Sequence, residues 1–225
     1  SMVNHPIKLR AASRTDAGVH ALGQVANFYT NKNISVSGFA RGITTRAGGE
    51  ISITDCEEVS GDFDSKINCG KMYIYQIWNA SQPSAIHRNY SWHVFTPFDL
   101  EHVNQTVPLF FGEKDLEAFR DSTCEAEHAI RTIYAIKAIH DDNLVKIYFL
   151  GNAFGRYMVR ILAGTIAEIG RKRIDNNGLL EIMNSRDRRK AGQTAPPQGL
   201  FLAKVFYSFR ELGQWVQNIE KKEAP

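Results

Sequence analysis

Ala12-Ser13-Arg14-Thr15-Asp16-Ala17-Gly18-Val19-His20-Ala21 reads as a tight polar loop between two apolar runs. Upstream, Ile7, Leu9 and Ala11 alternate with Lys8 and Arg10, the pattern of a half-buried strand. Downstream, Gln24-Val25-Ala26-Asn27-Phe28-Tyr29 reads as a second strand. The carboxylate of Asp16 lies between Arg14 and Gly18, where a glycine permits a bend that other residues resist. His20 adds a further polar group close by. Loops held by rigid flanks commonly carry catalytic groups. On spacing alone, the stretch is equally an ordinary hairpin whose Asp caps its own backbone.

Composition narrows the classes. The chain has 225 residues, enough for one large domain or two small ones, and its 43% apolar content supports a proper core. A net charge of +3 is weak evidence for a nucleic-acid partner. The three cysteines, Cys56, Cys69 and Cys124, are far apart and form no C-x-x-C pair, so no zinc knuckle and no metal site is expected. Their odd number argues against a disulfide framework and fits a reducing, cytoplasmic location. No apolar run approaches the ~18 residues of a membrane span, and the N-terminus carries no signal-peptide core, so no membrane partner is expected.

Along the chain, Val36, Phe39, Ala40 and Ile43 have helical spacing, weakened by Gly38 and Gly42 and stopped by Gly48-Gly49. Ile51, Ile53 and Val59 suggest a short strand. The run Met72–Asn79 is dense in aromatic and β-branched residues and reads as a strand with Tyr73, Tyr75 and Ile77 on one face. Residues 81–97 read as a loop. Leu100 to Phe110 predicts a helix bent before Pro108 and ended by Gly112. A strand opens at Arg131-Thr132-Ile133. Another spans 143–151, apolar on both faces and therefore central. A helix follows to about Gly170, buried through Met158, Ile161, Leu162, Ile166 and Ile169, and a short one lies around Leu179–Met183. Arg156 and Arg160 share a helix face, which is either functional or a solvated basic surface. Arg171-Lys172-Arg173 and Arg186-Asp187-Arg188-Arg189-Lys190 are candidate phosphate contacts or surface charge. The chain then turns into a final strand, and residues after about Phe209 read as a polar tail.

R-T-D-A-G-V-H-A at 14–21 resembles the active-site motif of the TruA family of tRNA pseudouridine synthases. Asn152–Arg160 resembles that family's N-x-F-x-x-x-M-V-R, and Ala195–Leu202 its A-P-x-x-G-L-x-L. Phe111–Arg120 is similar to a further family segment. The resemblance runs from about residue 5 to Tyr207. It departs at Ser13 (usually Gly), Lys66 (usually Arg) and Arg46–Gly49 (usually a Leu-Pro turn). The family's first strand and helix, about fifty residues ahead of R-T-D, have no counterpart in the dozen residues before Arg14.

The resemblance implies an α/β (α+β) pseudouridine synthase fold, two ferredoxin-like halves sharing a mixed, mainly antiparallel sheet with a central cleft. The expected division is a truncated first half at 1–62, a second half at 63–209 and the tail at 210–225. It further implies that Asp16 is the catalytic carboxylate, that Tyr73 faces the base, and that Arg160 pairs with Asp16. Arg14, placed to fill the gap or hold the backbone, His20, Arg156 and Leu200 complete the expected substrate-binding set. The implied partners are tRNA, through uridines of its anticodon stem-loop (positions 38–40), and a second copy of the chain. Uracil–ribose C–N cleavage followed by C–C formation needs no redox change, ATP or metal, so no cofactor is expected. A desolvated carboxylate resists ionisation, and an arginine in contact opposes that. A base within a stem must also leave its stack, at a cost of a few kcal/mol. Two other readings remain open on sequence: an RNA-binding relic that keeps the motifs, and an Asp/His hydrolase built on Asp16 and His20. The hydrolase needs a second base or metal ligand, and no nearby pattern supplies one.

Overall fold

The strands flanking the polar loop are far shorter than their alternation predicts. In the computed structural model, which describes residues 2–221, β1 is Arg10–Ala11, β2 is His20–Ala21 and β3 is Ala26–Asn27. β1 and β3 pair antiparallel, and Ala12 N–H donates to Val25 O just beyond them. Leu9, expected half-buried, is 64% exposed. After β3 the helix α1 runs Val36–Arg46, its first turn capped by the Ser35 hydroxyl, which accepts from Gly38 N–H at 3.2 Å. That cap offsets the cost of the two internal glycines. No strand forms at Ile51, Ile53 or Val59 among the described residues; Ile51 and Val59 lie exposed, with no partner strand beside them.

The remaining elements are β4 (Gly70–Trp78), β5 (Trp92–His93), α2 (Leu100–Thr106), β6 (Gly112–Asp115), β7 (Ile130–Asp141), β8 (Leu144–Gly151), α3 (Met158–Gly170), α4 (Asn176–Ser185), β9 (Leu200–Phe206) and α5 (Phe209–Glu220). The chain divides into two compact units. The first takes the residues up to Ser13 with Val25–Ile67, and the second takes Arg14–Gln24 with the residues from Asn68 onward. The polar loop thus groups with the C-terminal unit and not with the first 62 residues.

Within the first unit the β1–β3 pair is tied to the segment that closes it. Arg10 pairs with Asp64 at 2.6 Å, and Asn27 both donates to Phe63 O and accepts from Ser65 N–H. Phe28 meets Phe39 of α1 edge-on, 5.6 Å between centroids.

The second unit is built on a seven-stranded mixed sheet, ordered β2-β9-β4-β8-β7-β6, with β5 continuing the β9 side of β4. β2–β9 and β4–β5 are parallel, and the other pairs are antiparallel. β8 is central, as its two apolar faces require. β4 sorts its side chains as period two predicts: Tyr73, Tyr75 and Ile77 are registered with Phe149, Ile147 and Val145 on one face. Met72 belongs to the other face, in a core with Tyr148, Leu150 and Phe206.

Two helical expectations change in detail. The helix before Pro108 ends at Thr106 and tightens into a 3-10 turn over Val107–Phe110, because proline lacks the N–H a continuing α-helix needs. Gly112, at φ 83°, then opens β6. The expected polar tail is instead α5, whose Leu212 and Ile219 are buried in the Met72 core with Trp215 and Val216 against it. These four positions fall at helical spacing, and the charged Arg210 and Glu211 before them, with Gln214, Gln217 and Asn218 among them, concealed the stripe. No helix among the described residues is long and apolar enough to cross a membrane.

Candidate active site

Asp16 opens a type II turn. Val19 N–H donates to Asp16 O at 3.0 Å, and Gly18 occupies the third position at φ 81°, where an L side chain would be strained. A methyl group on Gly18 would also press against the Pro197 ring, 3.1 Å away. The turn is thereby seated on the Ala195–Pro197 segment that leads into β9. Immediately after it, His20–Ala21 add a short parallel strand to β9, and the N–H groups of Leu22 and Gly23 both reach Leu202 O.

The partner of Asp16 comes from 144 residues away. Nη1 of Arg160, in the first turn of α3, lies 3.3 Å from Asp16 Oδ2, with the two side chains 13% and 26% exposed. Arg160 is held for this by two further bonds: its Nε donates to Ala195 O at 2.7 Å, and its own carbonyl accepts from Ala195 N–H at 3.1 Å. Loss of either member of an ion pair so withdrawn from water leaves an unpaired charge that is costly to keep there.

Tyr75 lies beneath, fully buried on the same sheet face as Leu200, its register partner. Its hydroxyl donates to Pro196 O at 2.8 Å. Burial pushes the phenol far above the usual tyrosine value, and the Arg160 charge opposes that rise. Gly199 lets the chain pass this ring, since a Cβ there would stand 2.8 Å from it. Leu200, expected to bind substrate, is buried on this face at 5% exposure. Tyr73 is likewise buried, two residues along the same face, with Phe154 edge-on to its ring at 5.4 Å.

The other expected residues divide. Arg156 is exposed, donates to the Tyr157 hydroxyl at 3.1 Å, and has its pKa raised by that bond and by the charges of Asp121 and Asp16. Arg14 is exposed two residues before Asp16. His20 is registered with Phe201 and not with Leu200, so its ring falls on the face of β9 away from Tyr75. There it stacks on Phe201 at 4.8 Å, approaches Tyr90 at 5.1 Å and lies 3.0 Å from Asn89 O. The basic clusters are largely occupied by this protein's own carboxylates. Arg171 and Arg173 share Glu168, Lys172 takes Asp99, Arg186 takes Asp115, and Arg189 takes Asp187. Arg188 braces the loop before β9 through Gly192 O and Thr194.

Sequence reasoning passed over Tyr157. It precedes α3 at φ 58°, ψ −3°, a left-handed conformation costing a tyrosine on the order of 1 kcal/mol. Its ring lies about 5 Å from both the Arg156 and the Arg160 guanidinium carbons. No pattern in the sequence marks a left-handed tyrosine. The only available signal was its position between two arginines of one motif.

The arrangement is a half-buried carboxylate, fixed by an arginine, above an apolar and aromatic floor. The sequence model of a family described as tRNA pseudouridine synthase matches residues 107–208, which include Arg160, Ala195 and Leu200. The tRNA pseudouridine synthase A of Acetivibrio thermocellus is 39% identical over 207 residues, 92% of this chain and 85% of that protein. Those of Geotalea uraniireducens and Myxococcus xanthus are each 38% identical over 208 and 204 residues, covering 92% and 89% of this chain and 85% and 77% of theirs. Likeness at this level, over about nine-tenths of the chain, shows that it belongs to the tRNA pseudouridine synthase A family.

Proposed function

We propose that this protein isomerises uridine to pseudouridine in tRNA, with Asp16 as the catalytic carboxylate and Arg160 as its fixed counter-charge. The observation that carries the reading is the Asp16–Arg160 pair, 3.3 Å apart and held by the Ala195 carbonyl. The reaction breaks the bond between ribose C1′ and uracil N1, joins C1′ to C5, and moves the C5 proton away while N1 gains one. It needs an anionic group beside the sugar and base, a place for a flipped base, and shelter from water. Asp16 supplies the anion. Arg160, 3.3 Å away, gives that carboxylate a fixed positive counter-charge. Tyr73, Tyr75 and Leu200 share one buried apolar face, the floor beneath the place where a base that has left its stack would sit. In this reading Tyr73 lies nearest the base, and Arg14 and Arg156 take the phosphate backbone beside it.

The substrate uridines are those of the anticodon stem-loop, positions 38–40, and the working form is a cytoplasmic homodimer that holds one tRNA across two copies. Both extensions rest on the motif resemblance.

Tritium release from tRNA labelled at uridine C5 tests the activity directly, with wild type and Asp16→Ala side by side. Release by wild type and none by the variant, with equal tRNA binding, is the expected result. No release by a folded wild type that still binds tRNA would leave an RNA-binding protein in place of an enzyme. Release independent of Asp16 would remove the carboxylate from the chemistry. Mapping the pseudouridine by carbodiimide-blocked reverse transcription reads the position, and sedimentation reads the dimer.

A further inference from the structure

Arg160 has three anchors, and only two of them are explained by charge and backbone. Nη1 meets Asp16, and Nε meets Ala195 O. The third is the ring of Tyr157, whose centroid lies 5.0 Å from the guanidinium carbon. The same ring has the Arg156 guanidinium carbon at 4.9 Å, and its hydroxyl accepts from Arg156 Nη2 at 3.1 Å. One phenol thus touches both arginines of the motif.

The backbone at Tyr157 makes this costly to arrange. φ 58° and ψ −3° turn the chain from Gly155 into α3, so that Met158 N–H reaches Gly155 O and Ile161 N–H reaches Tyr157 O. Glycine would take this conformation without strain. Strain of this kind concentrates where side-chain placement matters. An aromatic face attracts a guanidinium through its quadrupole, more strongly where water is thin, and Arg160 is only 13% exposed. The hydroxyl end meets the exposed arginine, and the raised pKa of Arg156 reflects that bond first and the charges of Asp121 and Asp16 after it.

We infer that Tyr157 is a positioning residue for the isomerisation, its ring holding the Arg160 guanidinium at Asp16 and its hydroxyl holding Arg156 ready for a phosphate of the tRNA backbone. The inference rests on the activity proposed above. It divides the side chain into two functions: the ring acts through Arg160 on the chemical step, and the hydroxyl acts through Arg156 on substrate binding. Removing them separately separates kcat from KM.

Steady-state tritium release by the full chain, with tRNA as substrate, reads both. Tyr157→Phe keeps the ring and is expected to raise KM about fivefold with little change in kcat, the scale of one ordinary solvent-exposed hydrogen bond. Arg156→Gln raises KM to the same degree, and adding Tyr157→Phe to it raises KM no further. Tyr157→Leu loses ring and hydroxyl and lowers kcat about tenfold as well, the scale of a well-sheltered cation–ring contact. Circular dichroism and a thermal melt establish that each variant is folded at the assay temperature. A folded Tyr157→Leu with wild-type kcat and only a lower Tm would overturn the ring's function. An equal KM penalty from Tyr157→Phe in the wild-type and Arg156→Gln backgrounds would overturn the hydroxyl's. A wild type that releases no tritium fails differently, by overturning the activity itself.

Discussion

Tyr75 has no exposed surface, yet it carries a hydroxyl, and that hydroxyl has one partner, the Pro196 carbonyl. Removing it by Tyr75→Phe leaves that carbonyl without this donor and should cost about 1–2 kcal/mol at neutral pH. The pH dependence identifies the group. Burial raises the folded-state pKa above the unfolded value, so the folded protein holds the proton after the unfolded chain has released it. The stability this contributes is complete below about pH 10 and falls as pH rises beyond that, by about 1.4 kcal/mol per unit. Phenylalanine cannot ionise. The stability gap between wild type and Tyr75→Phe, read by urea unfolding, should therefore hold steady to about pH 10 and then shrink or reverse. A gap that stays constant to pH 11 would mean that the phenol is not shut away as described.

At the scale of elements, the helix α5 covers the sheet face that Met72, Tyr148, Leu150 and Phe206 share. Tyr75 and Leu200 point from the opposite face of the same strands. Leu212→Ala, at a position 4% exposed, should destabilise the protein by about 2–4 kcal/mol through lost burial and a residual cavity. Tritium release well below the melting transition should stay within about twofold of wild type, because α5 packs on the sheet face opposite Tyr75 and Leu200. A fall in kcat without a fall in Tm would place α5 at the site instead. The same helix shows what sequence conveys and what it withholds. β4, β8, α3 and β9 were legible because their apolar periods are dense and unbroken. α5 was not, since Arg210, Glu211, Gln214 and Gln217 dilute the stripe that Leu212, Trp215, Val216 and Ile219 form. β6, Gly112–Asp115, which pairs antiparallel with β7, escaped notice because it is short and its residues are polar. At the site, the Asp16–Arg160 pair was foreseen from two motifs. The fall of His20 on the far face of β9 was not, because a two-residue strand gives no period to read. The left-handed Tyr157 belongs to backbone geometry, which residue type does not announce.

For the whole molecule, the question is how a chain with 27 basic and 24 acidic side chains holds a polyanion. Two basic runs stand out in the sequence, but folding spends most of their charge internally. Glu168 lies 2.6 Å from Arg171 and 3.0 Å from Arg173, and Asp99 lies 2.8 Å from Lys172. A phosphate reaching these cations must compete with a carboxylate already in place. Each phosphate that a protein neutralises adds about 0.7–0.9 to the slope of log K against log salt. Measured by fluorescence anisotropy across a potassium chloride series, Lys172→Gln/Arg173→Gln should therefore leave the slope for tRNA within about half a unit of wild type. Arg156, exposed and held by an uncharged phenol, should behave differently: Arg156→Gln should lower the slope by about one phosphate contact. If the double replacement flattens the slope by about two contacts and Arg156→Gln leaves it unchanged, the RNA path runs over the end of α3 and not past its beginning.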